Sequence, residues 1–393
     1  MKRVHSRFLN NDLMFDILSF VPVRDLLGMK CVSKEWHRMI SNRSFVIAQL
    51  KKNKDVVLGG FIFQEKFMWC NEDIKTVTYI GVGEKKMRSK VDQMVFDFLP
   101  EDVVMLSSCK GLVCCRTCLP SKEPVIYVCN PSNKEWVKLQ WPVSSGYDRN
   151  ESIGLAFDYD PLKNSDDAIN RFKLVRVQQV ENFEAEFYYT FELYSSGCGA
   201  WRKSSEICQC DSRLSKNKGV YIGGVLHWLT DGDQVLTFDV EKELSWLISV
   251  PVPASEFRTF PEACIGESEG RLHYVLVSEE GLHVWYLEDY YEFKWTLSFV
   301  KSLEDFEVQC PQFCRNLKNR VLERVSMDIG PWMNPLAFKD GVLLMKVSVY
   351  LYLYDINSNK MTLACSVQDL KSLSMCNPTV IPHSLSLLPL CPA

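Results

Sequence analysis

The feature that most constrains the fold is a hairpin that keeps returning along the chain. A glycine followed by an apolar strand occurs six times: GGFIFQ from Gly59, GLVCC from Gly111, GLAFDY from Gly154, GGVLHWL from Gly223, GRLHYVLV from Gly270 and GVLLMKV from Gly341. Further along most copies, a strand bearing Tyr127, Leu193, Phe238 or Tyr354 runs through a polar turn into a strand carrying a large side chain. That side chain is Trp136, Trp201, Trp246 or Trp295, and Met361 takes the place in the last copy. Asn, Asp and Ser suit such turns because their side chains bond to nearby backbone. The returning strand then sets its ring over its neighbour. Strands rich in Val, Ile, Tyr, Phe and Trp, broken by turn residues, rule out a helical body.

The copies recur at intervals of about 43 to 71 residues. A lone meander leaves open edges, whereas meanders stacked radially leave few. The expectation is an all-β propeller of about six blades with connections of unequal length, and a pair of β-sandwiches is the alternative. Tryptophans at the repeat positions are expected to pack blades. Trp69, Trp141 and Trp332 fall outside the repeats and are candidates for a recognition surface, where aromatics concentrate binding energy.

The first fifty residues read differently. Leu13, Ile17, Leu18 and Val21 follow a helical period. Asn11 is a candidate cap, with Asp12 favourably placed in the first turn. Pro22 ends that helix. Asp25 can cap a second helix carrying Leu26, Leu27 and Met29, and Ser33 a third carrying Trp36, Met39 and Ile40. About forty residues with Cys31 as their single cysteine lie near the lower limit of independent folding. Part of their apolar surface must therefore cover, or be covered by, something else. A small helical cap on the main body and an offer to a partner groove are the two options.

Charge separates the same two regions. Residues 1–55 hold eleven Lys/Arg and five Asp/Glu, so they carry +6 while the whole chain carries −4. A basic head on an acidic body suggests an acidic partner, or simply a solvated helical face. The acidic body argues against nucleic-acid binding, and Lys51, Lys52 and Lys54 read as a solvated linker. With 393 residues, 47% hydrophobic and 24% charged, the chain has material for two or three well-packed domains. No apolar run reaches bilayer length, and no signal-peptide pattern is visible. No membrane partner and a cytoplasmic or nuclear location are expected, with the sixteen cysteines as core thiols.

LNNDLMFDILSFVPVRDLLGMKCVSKEWHRMISNRSF is similar to the F-box throughout. Leu9, Asp12, Leu13, Ile17, Leu18, Pro22, Leu26, Leu27, Val32, Ser33, Lys34 and Trp36 match in order and spacing. Asn10 stands where the family has its opening proline, and Val21 where it has leucine. Downstream, CKGLVCC, YVCNPSNKEW, GLAFDYD, FKLVRV, LYSSGCGAWR, GGVLHWL and LTFDVEKE occur in the order seen in the F-box-associated domain of plant F-box proteins, a kelch-related propeller. The resemblance implies an α+β multidomain chain. Residues 1–50 would form a three-helix F-box, 51–58 a linker and 59–393 the β-propeller-like recognition domain. It further implies a substrate-recognition subunit of a Skp–cullin–F-box ubiquitin ligase. Such a chain binds a Skp-type adaptor, reaches the cullin core through it, and recruits a protein target whose contact residues the sequence does not name. The candidate adaptor-binding residues are Leu9, Leu13, Ile17, Leu18, Pro22, Leu26, Leu27, Val32 and Trp36.

Residues that could carry chemistry give a weaker signal. Cys115 and Cys118 form a C-x-x-C with Cys109 and Cys114 nearby, but a zinc site needs a second pair, and Cys208 with Cys210 has the wrong spacing. His227 and His273 lie within strand-like runs, and His37 on the polar side of the third helix. The nucleophile-elbow, zincin and P-loop motifs are absent from the sequence. The expectation is no catalytic residue, no metal and no cofactor, in a receptor that does no chemistry itself. The rivals are a kelch-like propeller enzyme working on a small molecule and a scaffold that binds its partner without promoting degradation.

Overall fold

Four short helices come first, α1 (Asn11–Leu18), α2 (Val23–Met29), α3 (Lys34–Ile40) and α4 (Arg43–Lys52). A computed structural model describes residues 11–52, 58–65, 76–83, 91–92, 95–119, 121, 124–142, 151–157, 171–181, 186–215, 218–258, 261–311, 314–326, 333–370 and 378–390. Ser33 caps α3 as expected, its hydroxyl accepting from the Trp36 amide at 3.1 Å. Two other expectations shift. Asn11 lies within α1 rather than before it, and α2 starts after Pro22, with Asp25 in its first turn rather than at its cap. The fourth helix is also new against an expected three. It extends through Lys52 into the stretch read as a linker. Lys52 is anchored there, bonding the Ser19 hydroxyl at 2.6 Å and pairing with Asp16 at 3.3 Å.

The strands form antiparallel four-stranded meanders. Three stand alone: 103–140, 152–209 and 220–249. A fourth closes the ring, because Thr379–Ser384 pairs with Leu58–Gln64, which continues to Val77–Gly81 and Val91–Asp92. The two remaining meanders, 262–302 and 333–366, are merged into one eight-stranded sheet. They join through a short parallel pairing, Gly266 with Phe338 and Glu267 with Lys339. A side chain at Gly266 would come within 2.0 Å of the Phe338 carbonyl oxygen, so glycine permits the junction. The expectation of about six separate blades is thereby corrected. Among the described residues there are four discrete blades, and the other strands share one sheet. Sequence spacing counts hairpins but does not show which of them pair with each other.

The recurring glycines have a specific cause. In Lys110-Gly111, φ is 45° and 88°; in Gly223-Gly224 it is 55° and 96°; Glu269-Gly270 and Asp340-Gly341 follow the same pattern. Two consecutive positive φ values characterise the two-residue turn whose twist matches adjoining strands, and glycine takes the second position without steric penalty. Gly154 differs. It lies inside a strand, and a side chain there would come within 3 Å of Leu226 and Trp228. The later turns open on Asn130, Asp239, Asp289 and Asp355, each accepting from the amide two residues on. Trp136 meets Tyr127 edge-on at 5.6 Å and Trp201 lies 5.5 Å from Tyr194, so both pack a ring on a neighbouring strand as expected.

Both turn types emerge at one end of the molecule, since consecutive strands are antiparallel. The described turns at that end are short. Longer ones gather at the far end, including 303–332, which holds α5 (Leu303–Gln309) and α6 (Leu317–Ser326). Leu303, Phe306, Cys310, Leu317 and Val321 pack into the core of the merged sheet.

Candidate functional site

The helical head sits on the short-turn end. The Arg24 guanidinium donates to the Val82 carbonyl at 2.6 Å, and Lys30 to the Asn133 side chain at 3.2 Å. Leu18, Leu26, Ile40, Phe45, Val46 and Ile47 belong to one apolar cluster with Leu112, Ile126 and Val128 of the body and Leu387, Leu388 and Leu390 of the C-terminal segment. That segment is held by the polar turn of the first meander. The Asn130 side-chain amide donates to the carbonyls of Ser386 and Leu388 at 3.1 and 2.8 Å, Asn133 donates to Leu388 at 3.0 Å, and Glu135 accepts from the Leu390 amide at 2.7 Å. Sequence reading took NPSNKEW as a turn and missed this second duty, because the partner lies some 255 residues away in the chain.

Burial sorts the candidate residues of the head. Leu26 is 0% exposed and Leu18 4%, so both serve the internal core. Leu27 and Trp36 are half-buried against it. By contrast Leu13 is 49% exposed, Ile17 52% and Val32 66%, and Pro22 is also exposed. Leu9 and Asn10 lie outside the described residues. Phe20, 63% exposed, was not singled out from sequence. Its spacing from Leu13 and Ile17, at i, i+4 and i+7, was the available signal. The described body leaves these apolar side chains uncovered. Lys52 stands 4.1 Å over the Phe20 ring.

Comparison with known proteins decides what the head is. The F-box domain model matches residues 8–47, and the model described as "F-box protein At3g26010-like, beta-propeller" matches residues 82–316, more than half of the chain. The chain belongs to this family of F-box β-propeller proteins. Relatives in Arabidopsis thaliana agree. F-box protein At5g49610 is 29% identical over 73% of this chain and 74% of its own length; F-box protein At5g07610 is 24% identical over 78% and 73%. The combination is that of an F-box substrate-recognition protein, and proteins of this family are typically non-enzymatic adaptors. The F-box itself implies binding of a Skp-type adaptor.

The rest of this F-box protein offers a second concavity, a cavity of about 880 Å³ bounded largely by the first strands of the meanders. Its volume would suit a small molecule. Several of its polar groups are already engaged, however. Lys339 pairs with Glu267 and Asp340, Ser108 donates to the Pro382 carbonyl at 2.5 Å, and Lys218 reaches the Leu336 carbonyl at 3.4 Å.

Cys114 and Cys115 are fully buried in their strand, and burial pushes both thiols up, away from the thiolate a metal requires. Among the described residues no group of three or more His, Cys, Asp or Glu could hold a metal ion. His227 is buried, with Nδ1 3.1 Å from the Val220 carbonyl and Nε2 3.0 Å from the Tyr290 hydroxyl. The carbonyl fixes the proton on Nδ1, so Nε2 accepts from the tyrosine. Burial lowers its pKa to about 4 and keeps it neutral. His273 is half-buried with its pKa likewise lowered by burial, and His37 is exposed on α3. Trp141 is half-buried, 5.8 Å from the Arg176 guanidinium. Trp69 and Trp332 lie outside the described residues.

Proposed function

We propose that the chain is the substrate-recognition subunit of a Skp–cullin–F-box ubiquitin ligase, binding a Skp-type adaptor through its helical head and a protein target through its β body. The observation that carries this reading is the uncovered apolar row Leu13, Ile17 and Phe20, with Val32 and Pro22 also exposed, within the segment matched by the F-box model. Apolar side chains held out of their own core favour a partner groove. Leu9 joins them from its place in the motif. Leu18, Leu26, Leu27 and Trp36 support the contact by fixing the helices beneath it.

In this reading residues 1–50 are the adaptor-binding unit, 51–58 lead out of it, and 59–393 are the receptor. The long connections at the end away from the head are the proposed target face. Val308, Val349 and Tyr350 are exposed apolar residues in or beside those connections. The contribution to catalysis is proximity, which raises the local concentration of acceptor lysines near the transferring enzyme. A cytoplasmic or nuclear location is part of the proposal, as is the kelch relationship of the body. The small-molecule reading finds less support, because polar groups of the central cavity already have partners within the protein.

The test is affinity purification with the proteasome blocked, comparing the full chain with one lacking residues 1–52. The proposal expects Skp-type adaptor and cullin with the full chain only, and a partner retained by both that is ubiquitylated in a reconstituted ligase. Recovery of the adaptor with the truncated chain, or its absence from both, overturns it.

A further inference from the structure

The central cavity of the body takes no part in the proposed adaptor and target contacts. It has a volume of about 880 Å³ and reaches the short-turn end, where Lys110, Gly111, Gly223 and Gly270 line it. Its wall is mostly apolar. Val220, Tyr221, Leu229, Ile265 and Val342 each pack against a core cluster on one side, yet stay only half-buried. Neighbours on the same sheets, such as Ile222, Leu272 and Leu343, are buried. The half-buried five therefore keep apolar surface bare inside the body.

The charges of the lining cancel. Lys110, Lys218 and Lys339 stand against Glu267, Glu269 and Asp340. Lys339 pairs with both Glu267 and Asp340, and Glu267 also accepts from the Gly270 amide at 2.8 Å. Lys218, just before the 220–249 meander, reaches the Leu336 carbonyl of the 333–366 meander at 3.4 Å. Such pairing counts against chemistry on a bound molecule, but it does not count against holding a neutral one. A charged ligand would have to break these pairs or enter without a counter-charge, and burying an unpaired charge is costly. A neutral ligand meets neither cost. Water gains little from aliphatic walls, so an apolar group displaces it favourably.

We infer that the central cavity is a binding site for an uncharged, mostly apolar small molecule. Its volume lies in the range of pockets that enclose such ligands. Val220, Tyr221, Leu229, Ile265 and Val342 supply the apolar contact, and the exposed Asn357 offers a neutral donor and acceptor at the rim. The molecule is held and not converted. The site is separate from the apolar row of the head, and it does not depend on the ligase reading.

The experiment titrates the full-length chain with two fluorescent probes that share a ring system and differ in charge. N-phenyl-1-naphthylamine is neutral, and 1-anilinonaphthalene-8-sulfonate carries a sulfonate. The neutral probe is expected to bind saturably at one per chain, and the sulfonate at least about tenfold more weakly. Ile265→Trp and, separately, Val342→Phe fill the cavity and should each weaken the neutral probe by about tenfold or more with the melting temperature little changed. If one of them fails to fold, the other supplies the readout. Leu13→Ala with Phe20→Ala removes apolar surface from the head and should leave the neutral probe bound as before. Absence of saturable binding, several probes per chain, or a sulfonate that binds as well as the neutral probe overturns the inference. So does a signal that survives in the filled variants or disappears with the head substitutions. Each of these outcomes leaves the adaptor reading standing.

Discussion

The head and the body solve the same problem in opposite ways. The body carries short strands, several buried on both faces, and encloses many of its large side chains; Trp228, Tyr127, Phe191 and Phe238 are fully buried, and the ring is closed by a strand near the far end of the chain. Phe191 and Phe238 stack at 4.3 Å across neighbouring meanders. The head has four helices of seven to ten residues. Helices this short are marginal alone and depend on tertiary packing. They bury one side, through Leu26, Ile40 and Phe45, and leave Leu13, Ile17 and Phe20 in solvent. The body also exposes apolar side chains, among them Val308 and Tyr291, but the small helical unit on its rim exposes Leu13, Ile17 and Phe20 together on one helical stripe. Stability belongs mainly to the first, and the proposed adaptor contact to the second.

That division can be broken by substitution. The largest expected effect is in the body. Trp228 packs against Gly154 and Gly219 and donates to the Ser152 hydroxyl at 2.9 Å. Trp228→Ala should cost about 3–5 kcal/mol in denaturant unfolding, while the molecules that remain folded bind adaptor normally. A matching loss of affinity per folded molecule would show that the two regions are not separable.

The head gives the mirror image. Leu13→Ala, Ile17→Ala and Phe20→Ala together should weaken adaptor binding by about a hundredfold or more, since burying each large side chain contributes on the order of 1–2 kcal/mol. The melting temperature should stay within about two degrees, because these residues are already half exposed. Leu26→Ala is the control. Leu26 is fully buried, so its replacement should lower stability as well as binding.

Acid should act on the body. His227 and His383 are buried, each with a pKa lowered to about 4 by burial, against 6.5 for the free group. Between those values the unfolded chain binds a proton that the folded chain refuses. Stability is therefore full above about pH 6.5 and falls as pH drops towards 4, by up to about 3 kcal/mol for each histidine. His227→Gln should remove about half of the slope due to this pair, as read from denaturant midpoints across that range.

The smallest effect sharpens the boundary between the regions. Asn130→Ala removes the bonds to Ser386 and Leu388 and should cost about 1–3 kcal/mol. Hydrogen exchange should quicken in residues 386–390 and then in α2 and α3, which rest on the same cluster. Exchange confined to the tail would show that the head does not depend on it.

Much of this was legible because the signals are local. The positive-φ turns ask for glycine and the four-residue turns for Asn or Asp, so the hairpins announce themselves. The F-box pattern is likewise a run of contiguous residues. The spacing of Leu13, Ile17 and Phe20 also held a readable stripe, although Phe20 was passed over. What local signals do not carry is which strand edges meet. The pairing of Gly266 with Phe338, which merges two meanders, spans some seventy residues and rests on a single missing side chain.

By itself, then, the sequence determined the strand-rich body, its turns, the helical head and the excess positive charge on that head, because each follows from neighbours in the chain. Only the tertiary structure decided which leucines of the head face inward, how the C-terminal segment is gripped by Asn130, Asn133 and Glu135, and which described lysines find a carboxylate, as Lys339 does with Glu267 and Asp340. Those outcomes depend on residues brought together from opposite ends of the chain, and burial and charge pairing are properties of that assembly, not of any one segment.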